Sequence, residues 1–265
     1  MESGDGQVKA GIGAGAIQRG LAHLARLVLD ELYPPGCAVC NAPLAQGQGL
    51  CAQCFSQMQP ITRPYCPILG MPFGAEIGPD AVSAEALADP PPFARARAAV
   101  VYGPVASALV GRLKYGDRPE LAAFCAQLMA GAGTDFWNER PVLLPVPLHQ
   151  SRRRFRRYNQ SVLLAQHLAR LTGCEVIADM VLRHKRTRQQ VGLSGDGRLR
   201  NVQGAFSLHP RAMERLGGRR VVVVDDVYTT GATVKAVTRA LQRGGVNHVD
   251  VLTFARVVTG DDLPI

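Results

Sequence analysis

Apolar positions follow two rhythms along this chain, and the switch from one to the other marks its elements. Val221–Val224 is an unbroken β-branched run, the pattern of a strand buried on both faces of a parallel sheet. Shorter runs of the same kind predict strands at Ala98–Tyr102, Val142–Val146, Glu175–Ile177 and Val249–Phe254, with a hairpin or edge strand near Ala205–Leu208. Between them the spacing becomes helical, over 104–132 and again at Val234, Val237 and Leu241. Strands alternating with helices predict an α/β domain over 93–260 built on a mostly parallel, doubly wound sheet. A smaller unit over 17–92 precedes it. There Ile17, Leu21, Leu24, Val28 and Leu32 line one side of an amphipathic helix over 17–32, and a proline-rich, irregular stretch runs to about Pro92. Residues 1–16, dominated by glycine and alanine, predict a flexible tail.

The valine run stops at two adjacent carboxylates, Asp225 and Asp226, followed by Thr229, Thr230, Gly231, Ala232 and Thr233 before the next helix. A buried strand, an acidic pair, a hydroxyl-rich loop and a helix start make an anion-binding device. Backbone N–H groups at the helix N-terminus point at the ligand, and the helix dipole favours negative charge there. Threonine hydroxyls add donors, and Gly231 lets the backbone approach a phosphate closely. The two carboxylates suit ribose hydroxyls or a hydrated metal, at the carboxyl ends of the strands where open α/β sheets bind ligands. No lysine follows the glycine, so this is not the Walker loop of nucleotide triphosphatases.

Cys37, Cys40, Cys51 and Cys54 form two C-x2-C knuckles at ribbon spacing. Each knuckle presents two thiolates, and the pair completes a tetrahedral zinc site with no open position, hence structural rather than catalytic. A segment this small needs metal to fold. Cys66 begins a similar pattern, but Leu69, Ser83 and Ala86 stand where three further cysteines would fall, so one zinc per chain is expected. Cys125 and Cys174 sit in helical or helix-end patterns and read as small buried hydrophobes.

Charge separates the two halves. Residues 1–140 carry 10 Lys/Arg against 12 Asp/Glu, whereas residues 141–265 carry 20 against 9, so the carboxyl-terminal domain expects a polyanion. Arg152, Arg153, Arg154, Arg156 and Arg157 crowd together, interrupted by Phe155 and followed by Tyr158. Two ligands suit such a segment. One is a pyrophosphate, neutralised by guanidinium groups. The other is single-stranded nucleic acid, held by backbone charge and by stacking on Phe155 and Tyr158. A plain solvated loop is the third reading. No apolar run reaches the roughly 18 residues of a membrane helix, and clustered cysteines with no secretory signal point to a cytoplasmic, reducing compartment.

The segment Val221–Val234 resembles the signature for 5-phosphoribosyl-1-pyrophosphate (PRPP) in type I phosphoribosyltransferases. Joined to a four-cysteine ribbon, it resembles the ComF family of competence-associated proteins, which couple a double zinc ribbon to a phosphoribosyltransferase-like domain. Further stretches carry the resemblance: Leu113-Lys114-Tyr115, Leu144–His149, Tyr158–Ser161, and Thr187, Gln190, Leu193, Arg198 and Asn201 ahead of Gly204-Ala205-Phe206. The resemblance implies that Asp225 and Asp226 hold the ribose hydroxyls while Thr229–Thr233 cradle the 5′-phosphate. It also implies Mg²⁺ accompanying PRPP, with Lys114 and Arg152 as candidates for its pyrophosphate. The activity implied is pentosyl transfer, linked to DNA uptake or nucleotide salvage. The competing expectation is a non-catalytic accessory of DNA transport or repair that binds single strands, keeps a vestigial PRPP pocket and docks a protein partner through its ribbon.

Overall fold

The computed structural model describes residues 36–44, 49–75, 78, 81–115, 118–148, 158–184 and 204–258. The expected tail and the helix over 17–32 lie outside them, as do Arg152–Arg157. Among the described residues seven strands occur: β1 Arg95–Val101, β2 Val142–Pro145, β3 Glu175–Val176, β4 Val181–Arg183, β5 Phe206–Leu208, β6 Val221–Tyr228 and β7 Val249–Arg256. The α-helices are α1 Ala52–Ser56, α2 Ala84–Ala88, α3 Pro104–Tyr115, α4 Leu121–Ala132, α5 Gln160–Thr172, α6 Ala212–Leu216 and α7 Ala232–Arg243.

Five strands make one sheet in the order β1-β7-β6-β2-β3, with every pairing parallel. The remaining pair, β4 and β5, forms a separate antiparallel ribbon. The predicted strand near 205–208 is therefore real, and its partner β4 is an element that the basic composition around Arg183 concealed. The valine run lies at the centre of the sheet and alternates as its pattern requires. Val222 and Val224 enter a core with Leu109, Leu113, Leu121, Met129, Leu164 and Leu168 from α3, α4 and α5. Val221 and Val223 enter the opposite core with Val234, Val237 and Leu241 of α7 and Phe206 of β5. Both faces being covered, the strand can be apolar at every position. Cys125 and Cys174 are buried thiols in the helical layer, as expected.

The stretch before Pro92 is built around a second knuckle turn, the pattern that Cys66 begins in the sequence. In the first knuckle the Cys37 N–H donates to Ala42 O (2.7 Å), the Asn41 N–H donates to Cys37 O (3.0 Å), and Gly36 bridges Pro43. The same turn recurs around Cys66. Its N–H donates to Met71 O (2.8 Å), the Gly70 N–H donates to Cys66 O (2.8 Å), and Tyr65 bridges Pro72. Asn41 and Gly70, four residues after each leading cysteine, share the left-handed conformation at φ 61° and 63°. Cys51 Sγ caps α1 by accepting from the Cys54 N–H, and Ser83 Oγ caps α2 by accepting from the Ala86 N–H. A second ribbon thus keeps the backbone of the first, with Leu69, Ser83 and Ala86 in place of thiolates and Leu69 sealed in the core at 1% exposure. Backbone hydrogen bonds and side-chain packing hold this turn, whose substituted positions Leu69, Ser83 and Ala86 offer no thiolate.

The two ribbons straddle the β1 edge of the sheet. Ala38 and Met58 join the core beneath α3 and α4, whereas Cys66, Leu69 and Met71 join the core beneath α7. The connecting chain pairs with β1 itself, through the Ile61 N–H to Ala99 O (2.9 Å) and the Val101 N–H to Gln59 O (2.8 Å). The Ala96 N–H donates to Ile68 O (2.7 Å). Those bonds satisfy an edge that would otherwise invite another strand.

Candidate functional site

Strand β2 passes the chain outward to β3, and β6 passes it the other way to β7. The connections after β2 and β6 therefore leave in opposite directions, the switch point beside which sheets of this kind take ligands. Asp225 and Asp226 stand at that point, 9% and 5% exposed.

Neither carboxylate is sunk in hydrocarbon. Asp225 Oδ1 accepts from Ser161 Oγ (2.9 Å) on the first turn of α5 and from the Asp226 N–H (2.9 Å). Asp226 Oδ2 forms an ion pair with Lys114 Nζ, carried by the last turn of α3. Burial, followed by the neighbouring Asp226 charge, pushes the Asp225 carboxyl up to about 7, against the pull of Lys114, the Asp226 N–H and Ser161. A carboxyl that changes charge near neutrality, just past the point where β2 stops pairing with β6, has the character of a functional group. Ser161 had no role from sequence alone. Its signal was the Asn159 that caps α5, accepting from the Ser161 N–H (3.0 Å) and donating from Nδ2 to Val146 O (3.0 Å), so that α5 begins against the end of β2.

The hydroxyl loop follows directly. Gly231 caps α7 at φ 71°, and a Cβ there would lie 2.6 Å from Tyr228 Cζ, so both conformation and space demand glycine. The N-cap residue offers no side chain to cap α7, which leaves the start of a twelve-residue helix with first-turn N–H groups suited to an anion. Thr229, Thr230 and Thr233 are half-buried. Thr230 Oγ1 is buried without a hydrogen-bond partner among the described residues, a donor that a bound oxyanion would satisfy.

Of the residues expected at a pyrophosphate, Lys114 sits on Asp226 itself, and Arg152 lies outside the described residues with Arg153, Arg154, Arg156 and Arg157. Tyr158 is half-buried, its ring packed against the helical core. The loop after β2 is anchored by the Val146 N–H to Val224 O (2.9 Å).

On the first ribbon the Sγ atoms of Cys37, Cys40, Cys51 and Cys54 all lie within 4.8 Å of one another, and none is in a disulfide. Four thiolates at about 2.3 Å from zinc form a tetrahedron with edges of roughly 3.8 Å, so the donor set fits that metal. The Val39 and Cys54 N–H groups donate to Cys37 Sγ (3.5 Å) and Cys51 Sγ (3.4 Å), the usual support for metal thiolates. Arg112 of α3 reaches back to this ribbon, donating to Asn41 Oδ1 (3.1 Å) and Val39 O (3.2 Å).

Residues 28–86 match the double zinc ribbon domain, and residues 113–262 match the phosphoribosyl transferase domain. The chain is 34% identical to DNA utilization protein YhgH of Escherichia coli (strain K12), covering 86% of this chain and 100% of that protein. It is 40% identical to Competence protein F of Haemophilus influenzae over 43% of this chain and 49% of that one. With Competence protein ComFC of Bacillus subtilis it shares 25% identity over 80% of this chain and 86% of the relative.

Proposed function

The chain belongs to the ComF family, a double zinc ribbon joined to a phosphoribosyl transferase domain, and we propose that it binds PRPP, brought as its Mg²⁺ complex, at the carboxyl end of β6. One observation supports this above others: a carboxylate pair at the switch point of the sheet is followed along the chain by a glycine-capped helix start, and the Thr230 hydroxyl of the joining loop lacks a partner among the described residues. Thr229–Thr233 hold the 5′-phosphate with backbone N–H groups and hydroxyls. Asp225 and Asp226 take the ribose hydroxyls. Lys114 releases Asp226 on ligand entry and turns to the pyrophosphate, with Arg152 as a further contact.

In the pentosyl transfer that such a site performs, a nucleophile bonds to C1 of the ribose while the C1–O bond to pyrophosphate breaks. The bonding pair leaves with the pyrophosphate. Positive charge develops at C1 and the ring oxygen, and ionised Asp225 and Asp226 lie where they stabilise it. Calorimetry of PRPP with Mg²⁺ tests the reading. Micromolar-range binding is expected in the native protein, with at least a tenfold loss in Asp225→Asn/Asp226→Asn, since charge-assisted bonds to hydroxyls are each worth about 1.5–3 kcal/mol. An absence of PRPP binding by the native protein removes it.

A second reading draws on charge. Residues 141–200 carry 12 basic and 3 acidic residues, more than a nucleotide-sized site needs, and the relatives bear names of DNA utilization and competence. In this reading the arginine segment binds single strands. A salt titration of oligonucleotide binding checks it: affinity falls steeply with salt, and the slope drops by about two for every three arginines replaced among Arg152–Arg154. A flat salt profile rejects strand binding.

A further inference from the structure

We infer that Arg256 is a positioning residue for the phosphate loop, and that the metal-free second ribbon acts through it as a strut that holds Gly231 in place. The loop's ligand rests on the PRPP reading above, whereas the strut itself rests on geometry alone.

Arg256 ends β7 and is 1% exposed. Burying a guanidinium is costly unless its donors are met, and an apolar side chain of similar volume would fill the same space without that cost. Its partners show what the charge is for. Nη1 donates to Leu69 O (3.0 Å), the residue that stands in the second knuckle where a cysteine would be, and Nη2 donates to the Glu85 carboxylate (2.7 Å) on α2. Both partners belong to the second ribbon. The guanidinium carbon lies 4.4 Å from the centre of the Tyr228 ring, which is also its neighbour in the β6–β7 register. Phe93, in the chain leaving the ribbon, meets the same ring edge-on at 6.4 Å.

The hydroxyl end of that ring bears on the loop. Tyr228 is 2% exposed, and Gly231 packs so tightly against it that a Cβ would fall 2.6 Å from Cζ. Ribbon carbonyl, guanidinium, phenol ring and loop glycine thus form one continuous stack from the second ribbon to the start of α7. Two more contacts run beside it. Lys235 Nζ, on the first turn of α7 and almost wholly buried, donates to Asp89 (2.7 Å), and Gln242 Nε2 donates to Pro92 O (2.7 Å). A ribbon with one cysteine where four would bind metal keeps its fold and buries its surface against the helix and loop proposed to meet the ligand.

The test is amide hydrogen exchange on the zinc-loaded full chain, comparing the native protein with Arg256→Met and Glu85→Gln. Exchange over 229–234 is expected to rise about tenfold in Arg256→Met, while the amides of Val222–Val224 and Leu252 stay as protected as before. Glu85→Gln, which leaves the Leu69 and Tyr228 contacts intact, gives a smaller rise in the same segment and serves if Arg256→Met does not fold. In the same samples PRPP with Mg²⁺ binds about five- to tenfold more weakly, the size of a coupling carried through an intermediate residue. Unchanged exchange over 229–234 overturns the strut. So does a rise shared equally by the β6 and β7 core, which would make Arg256 a general stabiliser. If the segment loosens but the native protein binds no PRPP, the strut stands and the ligand assignment falls.

Discussion

Asp225 shows at the scale of one residue what a buried, paired carboxyl costs the fold. Its carboxyl takes up a proton near pH 7 in the folded chain, whereas an unfolded aspartate does so near pH 4. Between these values the folded state binds more protons, so stability falls as the pH rises through that window. Asp225→Asn is accordingly expected to stabilise the protein on the order of 1–3 kcal/mol at pH 8, with the gain vanishing toward pH 4. Denaturant unfolding at the two pH values measures this. A variant less stable at pH 8 would mean that the ionised form is favoured by its surroundings. Fully apolar neighbours tell the opposite story. Leu109 and Leu164 do nothing but fill the helical core, and truncating either to alanine costs about 2–5 kcal/mol with no special pH dependence.

At the scale of elements, the paired ribbons separate the knuckle turn from the metal it usually serves. Both turns close the same backbone hydrogen bonds and share a left-handed residue at the same offset, yet the four thiolates occur in one of them. The second exchanges the metal's cross-link for packing at Leu69 and a serine cap at Ser83. Because the backbone is already shaped, Leu69→Cys/Ser83→Cys/Ala86→Cys together with Cys66 is expected to create a second site. Metal analysis should then rise from about one zinc per chain to about two. A variant that still holds about one zinc would show that the second turn has drifted too far from tetrahedral geometry. In the native protein, Cys37→Ser/Cys40→Ser is expected to abolish zinc altogether.

Across the whole molecule the two ribbons brace elements on opposite faces of the sheet. The first grips α3 through Arg112, two residues before the Lys114 that pairs with Asp226, and the second grips β7 and α7. Removing zinc with a chelator should therefore loosen residues 36–58 first, since that ribbon has little core of its own. The parallel sheet, with its two cores, is expected to keep its circular dichroism while protease sites open in the ribbon. Loss of the sheet signal together with the zinc would make the two parts a single cooperative unit.

Much of this was legible in the chain because it depends on local chemistry. A β-branched run predicts a doubly covered strand wherever it lies, cysteine spacing carries a ligand set, and Asp225, Asp226 and Gly231 announce themselves by their order along β6 and α7. Long-range partnership is different. That Ser161 would meet Asp225, that Lys114 would sit on Asp226, and that Arg256 would reach Leu69 depends on which helix ends converge on which strand, over separations from 64 to 187 residues for the two hydrogen bonds. The second ribbon showed in the sequence as a degenerate knuckle pattern from Cys66, but how it holds its shape did not. Its turn is drawn by backbone hydrogen bonds that many sequences can make, and its burial comes from the sheet and α7 against which it is folded.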